Sequence, residues 1–170
     1  KKYTEAYEWY LKALKANPEY APAQNNVGSI LGRRGNNTEA EKYYKEAIRL
    51  QPEFFDPHEN LAVIYLGQNR HEEALREYKK ASSIQPDNPK INNNVATLLA
   101  YFENYAEAEK YYIRALKSKP DFVDAHVSLA NVYLKMSRFP DAQRSVDEAL
   151  RLQPGKKETR LWQERLKELK

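Results

Sequence analysis

A proline recurs at a fixed interval of 34 residues along this 170-residue chain. The prolines that keep this spacing are Pro18, Pro52, Pro86, Pro120 and Pro154. A strict period of this length is typical of one structural unit copied in tandem, and such units stack against their neighbours instead of surrounding one central core. The spacing therefore predicts a repeat array and argues against a globular enzyme.

The proline spacing divides the chain into copies of one unit. We number each unit so that its proline is position 32. The segments are then a half copy (1–20), four full copies (21–54, 55–88, 89–122 and 123–156) and a final stretch (157–170). We expect residues 1–170 to form a single array in which the final stretch is a capping helix.

Small and apolar residues recur within each unit at helical spacing. Positions 4, 7, 8 and 11 form one group, and positions 20, 24 and 27 form a second. Steps of three and four residues place side chains on one face of an α-helix. Position 20 is alanine in each full copy: Ala40, Ala74, Ala108 and Ala142. The unit is therefore predicted to be two amphipathic helices of about 14 residues that cross closely at small side chains.

Several residues predict how the helices begin. Asn88 and Asp121 are expected to be N-caps, and Thr38 with Glu41 has the spacing of a capping box.

The turn between the two helices of a unit contains Gly35 in the first copy and Asn69 in the second, which adopt a positive φ at low cost. Glu103 and Ser137 occupy this place in the later copies, so a different turn is expected there.

This pattern resembles the tetratricopeptide repeat family. That family has a large residue at position 4, Leu at 7, Gly or Ala at 8, Tyr at 11, Ala at 20, an aromatic residue at 24, Ala at 27 and Pro at 32, and the resemblance covers residues 1–156. It implies an all-α solenoid of antiparallel helix pairs that forms a right-handed superhelix, with the first helices lining a concave groove. The departure is at position 4, which holds Gln24, His58, Asn92 and His126. We expect looser local packing there.

The resemblance also implies which residues line the groove, at positions such as 2, 5, 6, 9, 12 and 13. The candidate peptide-binding residues are Asn25, Asn26, Ser29, Glu59, Asn60, Lys90, Asn93, Asn94, Thr97, Tyr101 and Asn131. Amide side chains both donate and accept hydrogen bonds, so a row of them can hold the backbone of an extended peptide. The row at position 6 ends where Ser128 replaces asparagine. Asparagine at position 6 is also frequent in repeats of this kind, so a background role stays open.

Charged groove residues could read the charge of a partner or form a solvated rim. They include Arg33, Asp56, Asp124 and Lys135. A clamp for C-terminal carboxylates, known in this family, is not expected, because only Asn60 and Lys90 match its positions.

Charge and composition exclude several classes of function. The net charge is +4, and the whole excess falls in residues 151–170, so the array has no bias toward nucleic acid. There is no cysteine. His58 and His126 lie two units apart, roughly 20 Å, too far to share a metal ion. The chain has no apolar run near the roughly 20 residues of a membrane span. No catalytic motif, metal site or cofactor is expected.

These observations favour a non-catalytic scaffold that binds a peptide or helix of a partner protein in its concave groove. An alternative is the substrate-recruiting region of a larger enzyme such as a glycosyltransferase. The chain begins within a unit, which predicts a fragment of a longer protein. Upstream residues would then cover the apolar face of the first helix, formed by Tyr3, Ala6, Tyr7, Tyr10 and Leu14. If nothing covers this face, it is a candidate for self-association.

Overall fold

The structure, a computed structural model, describes residues 2–155 together with residues 161 and 164. Its described residues form α-helices without a β-strand, which confirms the predicted all-α class. The helices are α1 (Lys2–Ala16), α2 (Ala21–Arg33), α3 (Asn37–Leu50), α4 (Phe55–Gly67), α5 (His71–Ile84), α6 (Pro89–Tyr101), α7 (Tyr105–Ser118), α8 (Val123–Lys135) and α9 (Phe139–Leu152). The predicted capping helix falls mostly outside the described residues.

The helix bounds repeat from copy to copy without a shift. The first helix of each full copy spans positions 1–13, and the second spans positions 17–30. The predicted pair of helices, close to 14 residues each, is therefore confirmed. Proline stands in the first turn of α2, α6 and α9, where its missing N–H costs no intrahelical hydrogen bond.

The chain divides into two compact units, Lys1–Gln85 and Pro86–Lys170, each of which is larger than one copy of the repeat and spans about two full copies. In the first unit, α2 packs on α3 and α4 packs on α5, and α3 and α4 join the two copies. In the second unit, α6 packs on α7 and α8 packs on α9, and α7 and α8 join the copies. A single array over the whole chain stays a prediction.

Small side chains sit at every crossing of a helix pair. The alanines at position 20 are fully buried, as are Ala62, Ala96 and Ala130 at position 8. At Gly28, the first-copy equivalent, an added Cβ would lie only 2.8 Å from Cε1 of Tyr44. The ring of Tyr44 therefore fills the space that a methyl group occupies in the other copies.

The turn between the two helices has the same left-handed backbone in all four full copies. The φ angle is +80° at Gly35, 59° at Asn69, 59° at Glu103 and 58° at Ser137. The expectation of a different turn at Glu103 and Ser137 was wrong. In each copy the backbone N–H of the residue after this turn position donates a hydrogen bond to a carbonyl near the end of the first helix, as from Asn104 N to Leu99 O at 2.8 Å. This hydrogen bond and the packing of the pair outweigh the poor preference of Glu and Ser for this conformation.

The predicted caps had mixed outcomes. Asn88 Oδ1 accepts a hydrogen bond from the Ile91 amide at 3.2 Å, which confirms that N-cap. The capping box is absent, because α3 begins at Asn37 and Glu41 instead contacts Arg70. Asp121 is not the N-cap of α8, because Phe122 occupies the N-cap position directly before the first helical residue.

The polar residues at position 4 share one hydrogen-bonding arrangement, and the expected looser packing stays a prediction. Each lies within hydrogen-bond distance of the backbone carbonyl of the proline at position 32 of the preceding copy. The pairs are Gln24 Nε2 to Pro18 O at 2.9 Å, His58 Nε2 to Pro52 O at 3.0 Å, Asn92 Nδ2 to Pro86 O at 2.7 Å and His126 Nε2 to Pro120 O at 2.9 Å. These carbonyls lie beyond the end of a helix and have no intrahelical donor. Each of these side chains is thus placed to donate the hydrogen bond that such a carbonyl lacks.

An arginine at position 16 ties the second copy of each unit to the first. In the first unit, Arg70 Nη1 donates to Glu41 Oε2 at 2.7 Å and Arg70 Nε donates to Glu73 Oε2 at 2.7 Å. The guanidinium carbon lies 4.1 Å from the centre of the Tyr65 ring.

The second unit repeats this arrangement at Arg138. Its Nη1 donates to Glu109 Oε2 at 2.8 Å, its Nε donates to Asp141 Oδ2 at 2.7 Å, and its guanidinium carbon lies 4.5 Å from the Tyr133 ring centre. The other two copies have Asn36 and Asn104 at position 16. A two-copy period is thus superimposed on the single repeat.

We expect the Arg70 cluster to make stability depend on acidic pH through Glu41. Hydrogen bonding from Arg70 lowers the pKa of the Glu41 carboxyl from its ordinary 4.5 to about 2, against the opposing effect of burial. Folding thus favours the ionised form, so the contribution is complete above pH 4.5 and is lost as the pH falls toward 2. Glu41→Gln should lower the free energy of unfolding by about 1–2 kcal/mol at pH 7, with the difference from wild type shrinking toward pH 2 in urea titrations.

Glu46→Gln is the matched control, because Glu46 lies on the same helix and pairs with Arg49 in the solvent. Its effect should be much smaller. Equal effects of the two substitutions would contradict the role given to Glu41.

Candidate functional site

The first helices of the copies carry all the candidate groove residues, with unequal exposure. Asn25 is buried, with only 5% of its surface exposed. The half-buried residues are Asn26, Ser29, Glu59, Asn60, Asn93 and Asn94, and the exposed residues are Lys90, Thr97, Tyr101 and Asn131. Asn25 is thus placed to hold a neighbour, while the exposed residues are placed to meet a ligand.

The first unit has an open cavity of about 350 Å³ between α2, α3 and α4. It is lined by Ser29, Gly32, Arg33, Asn37, Tyr44, Asn60, Val63, Ile64 and Gly67. Val63 is the prominent apolar wall, because 52% of its surface is exposed. We call this the first cavity.

The second unit has a cavity of about 250 Å³ between α6, α7 and α8. It is lined by Thr97, Ala100, Tyr101, Tyr105, Tyr112, Ser128, Asn131, Val132 and Lys135. Tyr101 is its prominent aromatic wall and is 63% exposed. We call this the second cavity.

The two cavities are built from the same positions of the repeat. Each uses positions 9, 12, 13, 17 and 24 of one copy and positions 6, 9, 10 and 13 of the next copy. Each is complete within its own unit. The equivalence shows that the cavities follow from the repeat geometry, while the side chains that line them differ between the units.

A tyrosine at position 24 contributes to each cavity. Burial raises the pKa of Tyr44 to about 12, against a hydrogen bond with Ser29 that lowers it. Burial also raises the pKa of Tyr112, whose hydroxyl lies 3.0 Å from Thr97 Oγ1. Both phenols are therefore neutral at pH 7, and each is bonded to the position 9 hydroxyl of its own copy.

Asn60 is held in place by the preceding copy. Its Nδ2 donates to Oδ1 of the buried Asn25 at 3.2 Å. In the second unit Asn93 is the equivalent of Asn25, but Ser128 replaces the next asparagine and bonds to Tyr112. The Oδ1 of Asn93 is buried and has no hydrogen-bond partner. The end of the asparagine row at Ser128 thus has a direct structural consequence.

The cavities contain only part of the predicted set. Ser29 and Asn60 line the first cavity, and Thr97, Tyr101 and Asn131 line the second. Lining residues that sequence reasoning missed lie on both helices of a pair: positions 17 and 24 on the second helices, and positions 10 and 12 on the first helices. The tyrosines at position 24 were assigned to the core because they repeat, and position 17 shows no repeating residue type that would have revealed it.

Within the described part of the chain, no group of His, Cys, Asp and Glu side chains could hold a metal ion. The described helices also include none long and apolar enough to cross a membrane.

Two family models match the chain, and both describe the tetratricopeptide repeat. They match residues 19–87 and 99–163. Together with the helix pairs and the repeated positions, these matches show that the chain belongs to the tetratricopeptide repeat family. A comparison with curated proteins gave no significant match.

Solved structures of this fold are similar to the chain over most of its length. YrrB, described as a TPR protein with an unusual peptide-binding site, has 19% identity and a TM-score of 0.84, with 96% of this chain and 84% of YrrB covered. MamA from Desulfovibrio magneticus RS-1 has 13% identity and a TM-score of 0.76, with coverage of 91% and 88%. The pilF protein of Pseudomonas aeruginosa has 17% identity and a TM-score of 0.76, with coverage of 99% and 86%. At these identities the likeness concerns the fold.

Proposed function

We propose that the first-helix face of each unit binds an extended segment of a partner protein, and that a side chain of the bound segment enters the cavity of that unit. The observation that carries the proposal is the recurrence of an open, solvent-accessible cavity at the same repeat positions in both units. An open cavity lined by amide side chains suits a ligand that is itself a peptide chain, because such a chain offers backbone N–H and C=O groups beside each side chain.

The side chains around each cavity have the chemistry that this ligand requires. Asn60 in the first cavity and Asn131 in the second can donate to and accept from a peptide backbone. Val63 and Tyr101 offer exposed apolar surface for side-chain contacts. Neutral Tyr44 and Tyr112 add bulk without charge. Asn94, on α6 outside the second cavity, is proposed as a further backbone contact.

The experiment is a selection of displayed random peptides of about 12 residues, roughly 40 Å when extended. Peptides enriched on the wild-type protein are then measured against the double variant Val63→Trp with Asn131→Trp, which places a bulky uncharged side chain in each cavity. Their affinity should fall by at least about tenfold, since the added side chains block the site.

The control is Ser83→Trp with Ile113→Trp, which adds the same side chain at exposed second-helix residues of the two units. It should leave binding unchanged. Failure to enrich any peptide, or an equal loss in the two double variants, would contradict the proposed function.

A further inference from the structure

Each cavity is lined by a cation and lacks an acid. In the first cavity the cation is Arg33, and in the second it is Lys135. Among the residues that the structure describes, no Asp or Glu lines either cavity. This is unexpected from composition, because residues 1–150 hold as many acidic as basic residues.

The two cations come from different copies of their units. Arg33 occupies position 13 of the first copy in its unit, while Lys135 occupies position 13 of the second copy in its unit. The residues that complete the position 13 pair are Gly67 and Tyr101, both uncharged. Each cavity therefore holds one positive charge, but the residue that supplies it comes from the first copy in one unit and from the second copy in the other.

The remaining polar groups are compatible with a negative guest. In the first cavity, Asn37 and Asn60 offer amide N–H groups beside the Arg33 guanidinium. In the second, Asn131 offers an amide donor in the cavity that Lys135 lines, while the Thr97 hydroxyl already donates to Asn93 O at 2.9 Å. A carboxylate could accept hydrogen bonds from both the cation and these neutral donors, and such charge-assisted bonds are stronger than neutral ones.

A basic guest side chain would be disfavoured at the same sites. It would meet a like charge with no carboxylate in the cavity wall to offset it. Specificity depends on the difference between the wanted and unwanted guests, so the missing acids discriminate as effectively as the cations. The acids on the same helices, such as Asp56 and Glu59 on α4, do not line the first cavity.

We infer that the partner segment bound by each unit presents an acidic side chain, Asp or Glu, to the cavity of that unit. The exposed walls formed by Val63 and Tyr101 give these acidic residues apolar neighbours to sit against. This inference rests on the proposed function, because it names the chemistry of the segment that the same site would bind.

The test uses the displayed random peptides at about 150 mM salt, where the Debye length of about 8 Å screens distant charges. The proteins compared are the wild type, Arg33→Glu with Lys135→Glu, and Lys42→Glu with Lys110→Glu. The last pair lies exposed on second helices away from the cavities and lowers the net charge by the same amount. A milder variant, Arg33→Gln with Lys135→Gln, serves if the first pair folds poorly by circular dichroism.

We expect Asp and Glu to be enriched about threefold over the input library on the wild type and on the Lys42 and Lys110 control. The enrichment should disappear in the Arg33 and Lys135 variants. Peptides that bind without an excess of acids would overturn this inference and leave the proposed function standing. Acid enrichment that persists in the cavity variants, or is lost equally in the control, would also overturn it. Failure to enrich any peptide would overturn the proposed function itself.

Discussion

Tyr112→Ala should lower the free energy of unfolding of the second unit by about 3–5 kcal/mol, the range seen when a large buried aromatic residue is truncated. Tyr112 is 1% exposed and lies on α7, which joins the two copies of the unit. Removing the ring leaves a cavity that the surrounding helices fill only in part. Urea unfolding followed by circular dichroism measures the loss.

Two further variants show whether the loss comes from the buried ring. Tyr112→Phe keeps the ring and removes only the hydroxyl, with its contacts to Thr97 at 3.0 Å and to Ser128, so it should cost about 1 kcal/mol. Tyr101→Ala removes an exposed ring on α6 and should change stability by no more than about 0.5 kcal/mol. If Tyr112→Ala costs no more than Tyr101→Ala, position 24 does not belong to the core.

Ala74→Leu should destabilise the first unit by about 1–3 kcal/mol through overpacking. Ala74 is fully buried where α5 packs on α4. A leucine there would force the two helices apart or push neighbouring side chains from their preferred rotamers. The loss would appear as a lower midpoint in thermal and urea unfolding.

Arg76→Leu is the matched control, because it introduces the same side chain two residues away at an exposed position. Leucine and arginine have similar helix propensities, so this change should be nearly neutral. An unfolding midpoint for Ala74→Leu equal to that of Arg76→Leu would contradict the helix-pair register.

The repeat itself could be predicted in detail because one period controls the whole chain. The spacing of Pro18 through Pro154 fixed the register, and the small residues at positions 8 and 20 located the crossing of each helix pair. The first helix of each copy then begins at the same position, from Ala21 to Val123. Errors do not accumulate along such a chain, since every copy independently reports the same boundaries.

Other features depend on contacts that the pattern within a single copy of the repeat does not reveal. The polar residues at position 4 made sense only once the carbonyls of the preceding prolines were seen beside them. The turn at Glu103 keeps a left-handed backbone because packing overrides its local preference. The Arg70 cluster joins two copies, yet its signal was present in the sequence as the alternation of Asn and Arg at position 16.

The candidate site was predicted on one helix face and is built from more than one helix. Reasoning by family position selected first-helix residues as candidates, but each cavity also needs the second helix of its copy. Tyr44 and Tyr112 serve both the core and a cavity, and a sequence pattern cannot separate these two roles. The missing acids in the cavity walls also emerge only after distant residues are brought together.

The most direct test of this account is a nuclear magnetic resonance titration of the isotope-labelled protein with a peptide enriched in the display selection. We expect the largest amide shifts at Ser29, Val63, Thr97 and Asn131, because these residues line the cavities. Second-helix residues such as Arg76 and Ile113 should be unaffected. Shifts concentrated on the second helices, with the first-helix residues unchanged, would contradict the claim that the first-helix face holds the partner.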